Sequence, residues 1–480
     1  MTNPNPNQLT QDKNAPKTHR HALVIGGSIA GLTAARVLSD HFDRVTIIER
    51  DLLPEQPAFR KGVPQGRHPH VLLLGGLRVL EQQFPGITDE LHTAGAVPFN
   101  LGSEARLHLL GQWRVRYHSA YTVLAVTRPL LEETIRHRLV ANPRITFLPG
   151  LEAIGLCTDT ANTRATGVQL RQRNGAAWQI EADLVVAADG RGSRATEWLT
   201  ALGFPTPHET VVDAHPGYAT RFYRLPESVR YDWKAMFLQP LAPDQQRGAL
   251  LLKVEDDQWQ LTLIGMAGDH PPTDEAGFVA YARSLIEPDV FNFVQSAEPA
   301  SPIWGYRRME NRLRHYEALP RYLENFLVCG DAAYAFNPAY GQGMSVAAIA
   351  SMKLDDCLRQ QQGDLTGLAA RFQKALTTLI DAPWQLATGQ DRDWQDGPEA
   401  KTDHMTRLVQ GYIRRVLGTM MVDPVVAEAF LAVQQLLAPP TRLFYPDVLW
   451  RTLKPRRRVA DQSGSLSADF AGSATADMLA

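Results

Sequence analysis

Glycine residues and one acid near the N-terminus have the types and spacing to hold a dinucleotide. Gly26, Ser28 and Gly31 match the G-x-G-x-x-G spacing, with serine in place of the second glycine. Such residues permit a tight turn, and the N-terminus of the following helix offers free N–H groups to a pyrophosphate. Glu49 lies 18 residues after Gly31. A carboxylate at about 20 residues accepts hydrogen bonds from ribose hydroxyls.

The segments around these residues predict the strand–helix–strand unit that the fingerprint requires. Residues 22–25 and 45–48 are short apolar runs typical of buried strands, and residues 28–40 carry apolar side chains at helical spacing. An ordinary βαβ unit without a ligand is the alternative. The acid at the end of the second strand favours the ligand-binding interpretation.

Two later strands also end in residues suited to a ligand. The apolar run before Asp189 and Gly190 predicts a buried strand, although Asp-Gly alone marks many hairpins. The predicted strand 326–329 is followed by Asp331 and then by a glycine-containing loop, 338–343, that opens a helix of small residues. An acid and a second helix N-terminus there suit an extended hydroxylated chain joined to an electron-rich group.

A basic loop and a helix start add candidate cations. Residues 51–70 form a long predicted loop, which favours a function, with a solvated basic loop as the alternative. Its basic residues are Arg60, Lys61, Arg67, His68 and His70. Arg128 begins a predicted helix with Thr127 as its cap, where a cation disfavours the helix dipole. An anionic cofactor would explain that placement.

Composition limits the remaining classes. The 480 residues are 44% hydrophobic and 21% charged, which indicates a globular chain of two or three domains. The net charge of −2 gives no electrostatic case for nucleic acid. Three separated cysteines favour a reducing compartment over a disulfide framework, and no metal site is predicted. Without an apolar run of about 18 residues, no transmembrane segment is expected, and the predicted location is cytoplasmic.

Three motifs, in this order, resemble the fingerprints of single-component class A flavoprotein monooxygenases of the para-hydroxybenzoate hydroxylase type. They are GGSIAG with the ER pair at 49–50, then AADGRGSR, then VCGDAAYAFNPAYGQGMS. The resemblance covers residues 22–358. Within that group, RKGVPQGRHPHVLL and FNPAYGQGMS look most like the FAD-dependent epoxidases of polyether antibiotic pathways.

The resemblance implies an α/β fold (α+β overall) with a Rossmann-like FAD-binding domain, an inserted β-sheet substrate domain and a C-terminal helical region. We expect the domain boundaries to be as follows: a disordered lead-in at 1–20, a discontinuous FAD-binding domain at 21–209 and 305–358, a substrate domain at 210–304, a helical region at 359–459 and a disordered tail at 460–480.

The family motifs carry over residue by residue. The residues implied to bind the FAD cofactor are Gly26, Gly27, Ser28, Ile29, Ala30, Gly31, Glu49, Arg50, Arg67, Arg128, Asp189, Gly190, Asp331, Pro338, Gly341, Gly343 and Met344. The substrate candidates are Tyr218, Arg221 and Tyr223 on a strand and Phe336 at the flavin face. No catalytic role is assigned to a side chain, since the flavin carries the chemistry.

The reaction implied by the family starts when reduced flavin and O2 form a C4a-hydroperoxide, which passes one oxygen atom to the substrate. Electrons come from NAD(P)H bound transiently or from a separate flavin reductase; the oligomeric state is not predicted. Alkene epoxidation is favoured over aromatic hydroxylation because no carboxylate or histidine lies between Asp331 and Gly343 to deprotonate a phenol. A base supplied by His68 or His70 of the basic loop is the alternative. An FAD-dependent desaturase or reductase without oxygen insertion is the further alternative.

Two other classes fit less well. A flavin halogenase would carry a W-x-W-x-I-P segment and a catalytic lysine, and residues 71–84 contain no lysine. A hydrolase would use Ser28 as the nucleophile of a near-miss elbow motif, which leaves Glu49, Asp189 and Asp331 without a role.

Overall fold

The computed structural model describes residues 20–172, 175–395 and 404–454. The predicted disordered lead-in, except Arg20, and the predicted tail at 460–480 lie outside these residues. The strands are β1 (His21–Ile25), β2 (Arg44–Glu49), β3 (Val97–Asn100), β4 (Ala105–Leu109), β5 (Gln112–Trp113), β6 (Thr122–Ala125), β7 (Ile145–Pro149), β8 (Leu151–Thr158), β9 (Ala165–Gln172), β10 (Ala177–Glu181), β11 (Leu184–Ala187), β12 (Glu209–Val212), β13 (Gly217–Arg224), β14 (Ala235–Leu238), β15 (Arg247–Lys253), β16 (Gln258–Gly265), β17 (Glu298–Pro299), β18 (Trp304–Tyr306), β19 (Asn311–Arg314), β20 (Phe326–Val328) and β21 (Tyr334–Ala335).

The α-helices alternate with these strands in the first part of the chain and follow them in the last. They are α1 (Ile29–Leu38), α2 (Leu74–Gln83), α3 (Ile87–Thr93), α4 (Arg128–Val140), α5 (Ala195–Ala201), α6 (Glu275–Arg283), α7 (Asp289–Ser296), α8 (Gly343–Gln361), α9 (Leu368–Gln395), α10 (His404–Met420), α11 (Pro424–Gln434) and α12 (Pro446–Leu453).

A parallel five-stranded sheet carries the first motif. Its order is β20-β11-β1-β2-β7, and every residue of β1, β11 and β20 is buried. Nearly continuous apolar strands of this kind suit a parallel sheet covered on both faces. The carboxyl ends of β1, β2, β11 and β20 meet at one edge, which brings the three motifs together.

The second large sheet has eight strands in the order β17-β13-β16-β15-β14-β4-β5, with β18 also paired to β13. Helices α6 and α7 cover one face through a core that contains Phe278 and Phe293. Smaller sheets join β10-β9-β8, β12-β19-β21 and β3-β6. The predicted α/β class, with a Rossmann-like domain, an inserted sheet and C-terminal helices, is confirmed.

The chain enters the eight-stranded sheet earlier than residue 210. Strands β4 and β5 form a hairpin whose first strand pairs in parallel with β14. This hairpin therefore belongs to that sheet, while the domain boundaries stay a prediction.

No single helix among residues 20–172, 175–395 and 404–454 has the length and hydropathy to cross a bilayer. The pair Arg407–Met420 and Pro424–Gln434 meets these criteria only together and is bent by 119° between the two helices.

Candidate functional site

The turn after β1 needs glycine at two positions. Gly26 has a φ of +108°, and a Cβ there would lie 2.4 Å from Ala188 O. A Cβ on Gly31 would lie 1.9 Å from Gly26 O, so α1 packs directly on the turn. This close approach aims the N-terminus of α1 across the ends of β1 and β11.

Ser28 occupies the N-cap of α1 without capping it. Its hydroxyl donates to Glu132 and accepts a hydrogen bond from Arg128 Nη2 at 2.7 Å. Because no side chain caps the helix, its first N–H groups stay available to an anion, and the helix dipole favours one there.

Glu49 is held rigidly at the end of β2. Its carboxylate accepts hydrogen bonds from the backbone N–H groups of Gly27 at 2.8 Å and Asp51 at 2.9 Å. Arg60 Nη1 lies 3.2 Å from the same carboxylate. The acid of the fingerprint is therefore fixed in position by the turn that it faces.

A buried cluster of charges supports this turn. Glu132 on α4 accepts from Arg60 Nη2 at 2.6 Å and from Arg128 Nε at 2.6 Å. Burial alone raises the pKa of Glu132, but the two guanidinium groups outweigh it and lower the pKa to about 2. Arg128, expected to need an anionic cofactor, thus has a partner one helical turn away.

The expected helix start with Thr127 as its cap residue is confirmed. Thr127 is the N-cap residue of α4, yet its side chain makes no cap hydrogen bond. The hydroxyl donates to Glu255 instead. A carboxylate from the turn between β15 and β16, and not a helix N–H group, is therefore the partner of this threonine.

One large cleft follows the edge where the motifs meet, with an empty volume of about 1490 Å³ including its open mouth. We call the part formed by Gly26–Ala30, Glu49 and Arg128 the glycine end. We call the part formed by His70, Val71, Tyr306, Phe336 and Pro338 the aromatic end. The arginines in the lining are Arg50, Arg128, Arg191 and Arg194, and its acids are Glu49, Glu152, Asp189 and Asp331.

Asp189 and Asp331 lie between the two ends. Asp189 Oδ1 is buried without a hydrogen-bond partner in the described part of the chain, and burial raises the pKa of this carboxyl. Asp331 lies 3.8 Å from Arg191 Nε. Arg191 also donates to the backbone carbonyls of Glu310 and Phe336, so the second motif is tied to the third.

His70 reaches the aromatic end from the basic loop. Its Nδ1 lies 2.8 Å from the carbonyl of His68, which can only accept, so Nδ1 carries the proton and Nε2 is an acceptor. Burial, with Arg128 nearby, lowers the pKa of His70 to about 3. Val71 lies beside Gly341, where a Cβ would meet Val71 Cβ at 3.5 Å.

Most of the predicted cofactor residues line this one cleft. They are Gly26, Gly27, Ser28, Ile29, Ala30, Glu49, Arg50, Arg128, Asp189, Gly190, Asp331, Pro338, Gly341, Gly343 and Met344. Gly31 supports the turn from behind. Arg67 does not line the cleft, because its guanidinium lies over the Trp304 ring at 5.6 Å.

Of the predicted substrate residues, only Phe336 lines the cleft. Arg221 forms an ion pair with Glu275 at 2.6 Å, and Tyr223 packs edge-on against Phe293 in the core under α6 and α7. Tyr218 is buried behind His68, with the ring centroids 5.9 Å apart. These three residues therefore do not line the cleft, and their role toward a substrate stays a prediction.

The sequence interpretation missed several residues of the cleft lining and of the charge cluster beside it. Arg191 follows the Asp189–Gly190 pair within the same motif, which was a usable signal. Glu132 lies four residues after Arg128 on one helix face, a second usable signal. Tyr306 and residues 151–153 come from strands with no distinguishing pattern.

The lining fits a flavin dinucleotide. Uncapped helix N–H groups and arginines suit a pyrophosphate. The unpaired Asp189 Oδ1 and the nearby Asp331 suit hydroxyl donors, and the apolar surface at the aromatic end suits a planar ring system.

Comparisons with known proteins agree with this fit. Residues 19–229 match the FAD binding domain family. Protein Rv3254 of Mycobacterium tuberculosis is 31% identical over 428 residues, which cover 86% of this chain and 88% of that protein. Kynurenine 3-monooxygenase of Salinispora tropica is 29% identical over 145 residues, covering 30% of this chain and 29% of that protein.

Among solved structures, the flavin-dependent brominase Bmp2 superimposes with a TM-score of 0.62. Its identity to this chain is 15%, and the match covers 87% of this chain and 94% of the brominase. At that identity the likeness shows the fold alone.

Proposed function

This chain belongs to the FAD-dependent class A flavoprotein monooxygenases, and on that premise we propose that it inserts one oxygen atom from O2 into an apolar organic substrate. Alkene epoxidation is the favoured reaction, with aromatic hydroxylation as the alternative. NAD(P)H is the proposed electron donor and the cytoplasm the proposed location.

We assign the glycine end to the adenosine and pyrophosphate parts of FAD. The N-terminus of α1 and Arg128 face the pyrophosphate, and Glu49 accepts from the ribose. Glu49 is already held by two backbone N–H groups and Arg60, so its carboxylate needs no rearrangement when it binds. Pre-organised acceptors lose less free energy on binding than mobile ones.

We assign Asp331 to the ribityl chain and Gly341–Met344 to the isoalloxazine edge. Bound FAD supplies the redox chemistry that activates oxygen. The N-terminus of α8 starts at Gly343 in the cleft lining, where its positive dipole end stabilises negative charge. Phe336, Tyr306 and Val71 exclude water from the same region.

The observation that carries epoxidation is that the aromatic end, as defined above, contains one imidazole and no carboxylate. A phenol hydroxylase benefits from a base that accepts the phenol proton, and a base works best with a pKa near the operating pH. His70 is the imidazole in this lining, and its pKa of about 3 makes it a poor base at neutral pH. An apolar cavity that orients a double bond needs no such base.

The test is turnover under labelled oxygen gas with a matched alkene and phenol. One labelled atom in an epoxide supports the proposal. A labelled catechol with the alkene untouched reverses the order of the two reactions. Reduction or desaturation without label removes oxygen insertion altogether.

The same assay separates the electron donors. NADPH and NADH are compared with the protein alone and with an added flavin reductase. The exposed Arg50 and Arg194 at the cleft suit the phosphates of a nicotinamide nucleotide. If the flavin is reduced only in the presence of the reductase, the protein belongs to a two-component system and is not reduced directly by NAD(P)H.

Halogenation is not proposed. A halogenase requires a lysine beside the bound flavin, and the cleft lining within the described residues contains none. The resemblance to the brominase concerns the fold.

A further inference from the structure

A buried carboxylate on α9 binds the segment that flanks the aromatic end. Asp391 lies in the last part of α9 and is fully buried. Its oxygens accept hydrogen bonds from Asn311 Nδ2 at 2.6 Å, Asn337 Nδ2 at 3.0 Å and the Tyr340 hydroxyl at 2.6 Å. Donors from two separate chain segments therefore converge on one carboxylate.

Asn337 transmits this contact to the cleft. Its own Oδ1 accepts from the backbone N–H of Ala339 at 3.0 Å, and its backbone N–H donates to Asn311 Oδ1 at 2.8 Å. These bonds fix both the side chain and the main chain at the start of the segment 337–341. Pro338 and Gly341 of that segment line the cleft, whereas Asp391 itself does not.

A second contact from the same helix end reaches the same segment. Trp394, one turn after Asp391, packs in a small apolar cluster with Ala339, Tyr306 and Tyr218. The end of α9 thus touches both the cofactor-flanking segment and the eight-stranded sheet.

We propose that Asp391 is a positioning residue for the bound flavin: it fixes residues 337–341 through Asn337 and Tyr340 and thereby sets the wall of the aromatic end. The proposal gives the C-terminal helical region a role in cofactor geometry. It rests on FAD as the cofactor and is independent of which oxygen insertion follows.

The chemistry of the donors explains why an acid is used. The amide nitrogens of asparagine only donate, so three donors need an acceptor with several lone pairs. Burial raises the pKa of Asp391, and the hydrogen bonds from Tyr340, Asn337 and Asn311 oppose that rise. Removing the carboxylate leaves these buried donors unpaired, which costs more than the contact itself contributed.

The experiment compares Asp391→Ala, Asn337→Ala and the double variant as purified FAD-loaded proteins. Each single variant is expected to change the visible absorption spectrum of the bound flavin and to raise the FAD Kd by about tenfold. The FAD Kd of the double variant is expected to lie within about twofold of that of the single variant that binds FAD less tightly, because both residues act through one contact. Asp381→Ala is the control, since Asp381 is an exposed acid on the same helix.

Tyr340→Phe keeps the test decisive if Asp391→Ala does not fold. It removes one hydroxyl donor and is expected to shift the flavin spectrum in the same direction by a smaller amount. Unchanged spectra and FAD affinity in folded variants, even with lower melting temperatures, would overturn the positioning role. Fold-changes that multiply in the double variant would overturn the coupling, and wild-type protein that fails to bind FAD would overturn the cofactor assignment instead.

Discussion

The two ends of the cleft are built in opposite ways. At the glycine end, buried charges neutralise one another: Glu132 holds Arg60 and Arg128, and Glu49 is held by backbone N–H groups. At the aromatic end, the wall consists of Tyr306, Phe336 and other largely apolar groups, and the charge that orders it, Asp391, lies behind the wall. In the proposed complex, charged groups contact the pyrophosphate directly at the glycine end. At the aromatic end, a rigid surface with little charge contacts the reactive isoalloxazine ring.

The largest expected effect comes from breaking the charge pairing of the glycine end. Glu132→Ala leaves Arg60 and Arg128 buried without their shared partner, and breaking a buried ion pair costs about 3–5 kcal/mol. Urea denaturation at neutral pH measures the loss. Glu133→Ala, the half-buried neighbour on the same helix, is the control and is expected to change stability by less than about 1 kcal/mol. Equal losses in the two variants would contradict the pairing.

Glu49→Ala is expected to weaken FAD binding by about 1.5–3 kcal/mol, the value of a hydrogen bond to a charged group. Fluorescence titration with FAD measures the affinity, and circular dichroism checks that the fold persists. Asp331→Ala is expected to reduce turnover more than Glu49→Ala does, since it acts closer to the ring. FAD affinity that stays at the wild-type value in both variants would make these acids purely structural.

The third prediction concerns acid stability at the aromatic end. Burial lowers the pKa of His68 to about 4 and that of His70 to about 3, from an ordinary value of 6.5. As the pH falls below 6.5, His68 and His70 become protonated in the unfolded chain but stay neutral in the folded protein until the pH reaches their lowered pKa values. Stability is therefore complete above pH 6.5 and falls by up to about 1.4 kcal/mol per pH unit for each histidine.

His70→Gln is the variant that tests this prediction. Unfolding free energies measured between pH 6.5 and 5 should fall less steeply in the variant than in the wild type. This window lies above the ordinary pKa of Glu132, 4.5, so that carboxylate adds little to the slope. Parallel slopes would show that His70 takes up its proton over the same pH range in the folded and the unfolded protein.

The smallest effect is expected for Arg67→Ala. Arg67 lies over the Trp304 ring and outside the cleft lining, so FAD affinity should not change. Loss of the cation–π contact is expected to lower stability by about 0.5–1 kcal/mol. A clear loss of FAD affinity would restore the role that the family resemblance gave to this arginine.

The glycine end was largely predictable because its signals are local. Gly26, Ser28 and Glu49 lie in one strand–helix–strand unit, and their spacing alone specifies their neighbourhood. The contact of Arg60 with Glu132 was not predictable, since it depends on how a long loop folds onto α4. Contacts between residues far apart in sequence can be identified only from the tertiary structure.

The aromatic end was predicted only where it borders the third motif. Alternate residues of β13 lie on opposite faces of the sheet, and the sequence does not indicate which face meets the cleft. Arg221 and Tyr223 lie on the face that packs towards α6 and α7, and Tyr218 lies on the other face behind His68. A period of two residues is the same for either choice, so sequence alone could not separate them.

The order of the parallel sheet also governs how this protein is made. β20 completes the parallel sheet beside β11. All strands of the eight-stranded sheet precede β20 in the chain, so β20 is synthesised after them. Until then β11 is an unpaired edge that exposes N–H and C=O groups to other chains. A nascent chain stalled before Phe326 is thus an aggregation-prone species, because β11 keeps this open edge.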